Sequence, residues 1–340
     1  YVVTDIGDRA FSGCTGLTSI TLPNTLTTIG KNAFYNCTGL TSITIPNSVD
    51  SITSGAFYKS ENLTAFYGKY ATADNRCLIV DGTLVAFAPK NLTSYSIPNS
   101  VTTIGDYVFN TCTGMKSVTI PESVTSIGEA AFQKCSGFTS ITLPNSLTTI
   151  GKSAFSGCTG LTSLTIPNSV TTIGNSAFNT CSNVTSLTLG ESLITIGDDA
   201  FYNLTKVTSI TIPNSVITIG ENAFYNCYNM KSVTIGNSVT TIGDGAFYVC
   251  TALTSVDIPN SVTTIGEKAF YKCTALTSAN IGNSVTSIGG SAFRYCEKLT
   301  SITIPNSVTT IGGSAFSDCT ALTDANIGNS VTAIGNYAFK

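Results

Sequence analysis

The residues able to do chemistry are few, and most of them recur at one interval. Eleven of the twelve cysteines, from Cys14 and Cys37 through Cys296 and Cys319, fall on a register of 23 residues. Zinc-binding thiolates come in close pairs, and one Cys per 23 residues lacks that spacing. Each of these cysteines sits in an apolar column, where a free thiol behaves as a small hydrophobe. Buried free thiols are therefore expected, and the one out-of-register cysteine, Cys77, is the best place to look for a reactive one. With no His in the chain, a Ser-His-Asp or Cys-His site is excluded. Asp198-Asp199 is the densest acidic pair. Paired carboxylates drive glycoside hydrolysis, but nothing forces a second acid opposite this pair, and it reads as solvated charge at the end of a short helix. No phosphate-cradling or calcium-binding loop is present, and no cofactor or metal is implied.

What remains is surface that a partner could use. Tyr202, Tyr225, Tyr248 and Tyr271 form a column at the same 23-residue step, and exposed aromatic residues are enriched at interfaces. Asp257 and Asp324 replace the Thr and Ser of outward strand positions. Tyr67 and Tyr70 lie in a stretch where the pattern breaks.

The unit that positions these columns is marked by Phe, which recurs from Phe11 to Phe339 every 23 residues, with a single step of 52 between Phe57 and Phe109. The unit reads A-F-x-x-C-x-x-L-T-S-I-T-I-P-N-S-V-T-T-I-G-x-x. Leu40–Ile45 ends in apolar–polar alternation and predicts a short strand, with Ile43 and Ile45 inward and Ser42 and Thr44 outward. Pro46-Asn47-Ser48 makes a turn, and Val49 and Ile52 form a second inward pair. After the Gly column, Lys31–Cys37 predicts a brief helical turn with Ala33, Phe34 and Cys37 inward. One unit cannot bury its own apolar face, whereas stacked units can, at about 4.8 Å per parallel rung.

Two departures stand out. In residues 61–97 the apolar runs Cys77–Val80 and Thr83–Phe87 flank Asp81-Gly82, a hairpin signal, so an embedded hairpin is expected to replace the Phe/Cys turn of one unit. In the C-terminal half the turn position alternates as Pro167, Gly190, Pro213, Gly236, Pro259, Gly282, Pro305 and Gly328, which implies growth by duplication of unit pairs.

The unit resembles the BspA-type leucine-rich repeat of bacterial and protist surface proteins, over nearly all of residues 1–340. The resemblance implies an α/β repeat solenoid with a parallel strand sheet on the concave side and short helical turns on the convex side. It also implies a cell-surface or secreted setting and adhesion to host or matrix proteins. The chain is accordingly read as one solenoid, residues 1–340. Both ends enter mid-unit without polar caps, so a longer parent chain, or loss of the caps, is expected.

Composition limits the alternatives. Charged residues are 10% of the chain and the net charge is −3, which offers no basic footprint for nucleic acid or anionic membrane. No apolar run approaches the ~20 residues of a membrane-spanning helix. The expected partner is a protein or glycoprotein, with oligomeric state open. Two other readings are a structural stalk displaying another domain, and binding of ice or polysaccharide through outward Ser/Thr ladders such as Ser140/Thr142, Ser163/Thr165, Ser186/Thr188 and Ser209/Thr211.

Overall fold

The computed structural model describes residues 2–340, in two compact units, one ending at Gly160 and the other spanning Leu161–Lys340. Each is a stack of 23-residue coils held by parallel strand ladders. The inward columns form the core: Phe34, Phe132, Phe224 and Phe270, together with Ile29, Ile150, Ile219 and Ile265, are fully buried. Phenylalanines of successive coils stack face to face, as in Phe224–Phe247 at 5.3 Å between ring centroids and 5° between planes.

The predicted strand is present with its predicted alternation. Ser163–Thr165 and Ser209–Thr211 each run exposed–buried–exposed. In the unit that begins at Leu161, Ser209–Thr211 pairs with Ser232–Thr234 in parallel and in register. Ser140 and Thr142 are exposed, but their segment forms no strand ladder. A second ladder of two-residue strands runs along the opposite end of each coil, pairing for example Thr218↔Thr241 and Ile219↔Ile242. Its threonines add a second bond per rung: the Thr263 hydroxyl donates to the Thr240 carbonyl at 3.2 Å, beside the Thr263 N–H at 2.9 Å.

The expected helical turn is not a helix; the described residues contain none. The A-F-x-x-C segment is instead a series of tight turns with a left-handed residue two positions before and two after each Phe, such as Asn222 (φ 50°) and Asn226 (φ 61°) around Phe224. Each left-handed residue redirects its peptide along the array. Within one coil, Ala223 N–H donates to Gly220 and Tyr225 N–H to Asn222. The N–H groups between them, of Asn222, Phe224 and Asn226, donate to the next coil at Asp244, Ala246 and Tyr248, at 2.7–2.8 Å. A helix would consume all of these donors in bonds four residues back within the coil, leaving none for the neighbour.

Left-handed backbone is unfavourable for a β-branched side chain, and Val249 (φ 58°) occupies a position that holds Asn203 and Asn226 in the two preceding coils. Val249→Asn is expected to stabilise the protein by about 1 kcal/mol, read as a rise in the urea midpoint at unchanged slope.

In residues 61–97, Asp81-Gly82 (φ 46° and 75°) turns an antiparallel hairpin of Cys77–Val80 and Thr83–Phe87, with a bulge between Leu78 and Ile79. The second arm joins the short-strand ladder, with Thr83↔Thr103 and Leu84↔Ile104. Phe87 enters the aromatic column against Phe109, at 4.5 Å. The insert therefore supplies a ladder rung and a core ring without supplying a turn segment.

Candidate functional site

The cysteine column is structural. Eleven of the twelve thiols are buried, and Cys14 is exposed. The Cys135 thiol donates to the Phe109 carbonyl at 3.0 Å and Cys319 to Phe293 at 3.2 Å, each reaching back to the previous coil. Where Ser60 stands in for Cys, its hydroxyl makes the same bond, to Phe34 at 2.7 Å. The column thus needs a small donor more than it needs sulfur. Cys77 is fully buried, with its thiol donating to the Tyr95 hydroxyl at 3.1 Å, and burial pushes its pKa up to about 12. Burial likewise raises Cys112 and Cys227 to about 12. This removes the expectation of a reactive Cys77. At pH 8 a thiol with pKa near 12 is thiolate in about one molecule in ten thousand, and the thiolate is the nucleophile. Iodoacetamide on the native protein at pH 8 is therefore expected to modify Cys14 alone, against all twelve cysteines in denaturant, counted by intact mass; rapid labelling of Cys77 would contradict the structure.

The acidic residues after each Gly column also have a structural use. Asp198 Oδ1 accepts the Glu221 N–H at 2.9 Å, and Asp244 Oδ1 accepts the Glu267 N–H at 2.7 Å. Asp198-Asp199 is therefore not a helix end. Asp198 is an inter-coil rung, and Asp199 is half-buried beside it, its carboxyl raised first by burial and then by the Asp198 charge. Among the described residues no group of three or more Cys, Asp or Glu is placed to hold a metal ion.

The tyrosine column is brought together closely. Tyr202, Tyr225, Tyr248 and Tyr271 stack at 4.5–4.6 Å with planes within 9°. All four are half-buried, so each ring packs on its neighbours while part of it faces solvent. Tyr295 turns edge-on and ends the stack. Beside the rings lies a row that sequence reading passed over: Glu221, Asp244 and Glu267, each exposed and one coil apart. With Tyr225, Tyr248, Asn222, Gly245 and Lys268 they line an open basin of about 440 Å³.

Asp257 and Asp324 are exposed on strands Ser255–Asp257 and Asp324–Ile327. Asp257 accepts from Asn280 Nδ2 at 2.5 Å and pairs in register with that residue. Asp324 is registered with Ser301 instead, so the two aspartates occupy different columns and form no common site.

Tyr67 is exposed on strand Ala65–Gly68. Tyr70 is half-buried, its hydroxyl donating to the carbonyls of Val49 and Asp50 at 3.2 and 3.1 Å. Tyr70 therefore fastens the insert, whereas the Tyr67 side chain stays exposed. Next to the insert, a groove of about 570 Å³ is lined by Glu61, Asn62, Lys90, Thr93, Thr111 and neighbours.

Coils of one parallel strand, a turn, a second short strand and a non-helical turn segment, stacked in register around phenylalanine and thiol columns, define a leucine-rich repeat solenoid. The profile of the BspA type leucine-rich repeat region (6 copies) matches residues 2–73, 84–203, 171–297 and 217–340, and the chain belongs to that family. Among solved structures it is similar to a leucine-rich repeat protein from Bacteroides ovatus, at 28% identity and a TM-score of 0.65, covering 98% of this chain and 83% of that one. It is similar also to a leucine rich cell surface protein from Faecalibacterium prausnitzii, at 31% identity and a TM-score of 0.51, covering 96% and 83%. A leucine-rich repeat protein from Eubacterium ventriosum matches at 25% identity and a TM-score of 0.54, covering 82% and 68%. No curated protein matched the chain.

Proposed function

We propose that the chain is a non-enzymatic binding module, displayed outside the cell, that adheres to host or matrix glycoproteins. The observation that carries this reading is its membership of the BspA-type family in a molecule whose exposed features are register-locked faces rather than a reactive centre. The strand face presents polar side chains in fixed columns, including Ser209, Thr211, Asp257 and Asn280. The tyrosine column presents ring surface ordered in advance, which lowers the entropy lost on docking. The Faecalibacterium relative is named a cell surface protein, which supports the extracellular setting. No helix among the described residues is long and apolar enough to cross a membrane. The test is a binding screen of the purified chain against immobilised matrix glycoproteins and mucins. Saturable binding to at least one is expected; its absence across the panel would count against adhesion.

A further inference from the structure

We infer that the basin beside the tyrosine stack, residues 221–268, takes lysine or arginine side chains of an extended basic segment in a protein partner. This deepens the binding-module reading and rests on it. The first observation is the shape: the basin lies alongside the stacked rings of Tyr225 and Tyr248, at the coil where Gly245 stands in the position that holds Asn222 and Lys268 in the adjacent coils. The second is charge complementarity. Asp198, Glu221, Asp244 and Glu267 follow one another along the column, with Asp199 beside the first of them, and the cation there is Lys268, paired to Glu267 at 2.5 Å. Asp198 and Asp244 are occupied in part by backbone N–H groups, but the structure assigns no backbone bond to the Glu221 and Glu267 carboxylates. Both are exposed, with Glu221 accepting from Asn222 Nδ2 at 3.4 Å and Glu267 from Lys268 Nζ at 2.5 Å.

The third observation is what the same column does where the chain itself supplies a cation. Lys272 Nζ lies 5.8 Å from the Tyr271 ring centroid and 5.5 Å from that of Tyr295, and the Arg294 guanidinium lies 4.7 Å from Tyr295. In the other unit, Lys59 sits over Tyr35 and Tyr58 at 5.7 and 5.5 Å. After Tyr202, Tyr225 and Tyr248 the corresponding residues are Asn203, Asn226 and Val249, so that position carries no cation in the middle of the stack, and the one cation lining the basin, Lys268, is held by Glu267. Partner cations would meet the carboxylates and the hydroxyl oxygens of the rings, because the ring faces are taken by stacking and the ring edges are the positive part of the quadrupole.

The spacing selects a conformation. Glu221 and Glu267 are two rungs apart, about 9.6 Å at parallel-strand spacing. A polyproline II segment repeats its face every three residues, about 9.3 Å, so basic residues at every third position match the column.

The test uses a fluorescein-labelled proline-rich decapeptide with arginine at every third position, titrated by anisotropy at about 50 mM salt, a concentration at which charge attraction is little screened. Saturable binding that weakens with added salt is expected. The Glu221→Gln/Glu267→Gln double variant should lose about five- to tenfold in affinity, as for two exposed ion pairs. Glu191→Gln/Glu297→Gln, which removes the same charge elsewhere, should bind as wild type. Unchanged thermal midpoints keep the comparison about binding. No saturable binding, or equal loss in both double variants, overturns the inference. If the Glu221→Gln/Glu267→Gln protein keeps its glycoprotein binding while peptide affinity is unaltered by the change, the basin is wrong and the adhesion reading stands; loss of all glycoprotein binding by the wild type strikes that reading separately.

Discussion

Phe224→Ala is expected to lower stability by about 3–5 kcal/mol, the range for removing a fully buried aromatic ring. Phe224 is 0% exposed and stacks on Phe201 and Phe247, each at 5.3 Å, so the substitution removes two ring contacts and leaves a cavity between coils. The consequence is more than a lower midpoint. In a stacked array each coil contacts only its neighbours, and cooperativity depends on unbroken nearest-neighbour coupling. The weakened interface should let the coils on its two sides unfold at different urea concentrations, so that one transition by circular dichroism becomes two. Hydrogen exchange would locate the split: amides donated across the damaged rung, Phe224 to Ala246 and Asn226 to Tyr248, should lose protection first. Tyr225→Ala, one residue away in the half-exposed column, serves as the comparison. It should cost less and leave a single transition.

The same residues explain how much was readable beforehand. The inward columns were legible because burial has one cause, apolar side chains recurring at one step, and the strand was legible from Ser-Ile-Thr alternation around residues such as Ile210. The turn segment was not. Ala223, Phe224 and Cys227 have spacings that also suit a helix face, and the left-handed conformations of Asn222 and Asn226 are fixed by hydrogen bonds to another coil, which local propensity does not encode. The recurrence of Asn at Asn36, Asn203 and Asn226 was the available signal, since Asn tolerates that region. The continuation of the acidic row beyond Asp198 is hidden in the sequence for a related reason. Asp198, Glu221, Asp244 and Glu267 look like ordinary solvated charge until stacking shows that the aspartates cap the next coil and the glutamates do not. The anchoring of Tyr70 is not legible in the sequence because its hydroxyl partners, Val49 and Asp50, lie some 20 residues earlier, on a neighbouring coil.

Gly236→Ala is expected to cost about 1–3 kcal/mol, the penalty for overpacking a rigid contact. The alternation of Pro and Gly along the turns marks where this contact is tight. A Cβ on Gly236 would lie 2.2 Å from the Pro213 carbonyl oxygen and 2.6 Å from its carbon, both backbone atoms with little freedom to move. Gly190 makes the same approach to Pro167, again at 2.2 Å. What draws the coils together is a side-chain bond made at these steps: Asn214 Oδ1 accepts the Asn237 N–H at 2.8 Å, and Asn168 Oδ1 accepts the Glu191 N–H at 3.0 Å. At the Pro121–Pro144 step, where both turns carry proline, the longer Glu122 side chain makes the equivalent bond to Asn145. Each of these two asparagine acceptors precedes a turn that carries glycine, in step with the 46-residue alternation of the sequence. Gly114→Ala is the control, because nothing lies within 4 Å of its added Cβ; its effect should stay within about 0.5 kcal/mol. If Asn214→Ala is made first, the Asn237 bond is absent and the coils can separate, so the further cost of Gly236→Ala should shrink. A double-mutant cycle by urea denaturation measures that coupling, and full additivity of the two substitutions would show that the asparagine does not set the spacing.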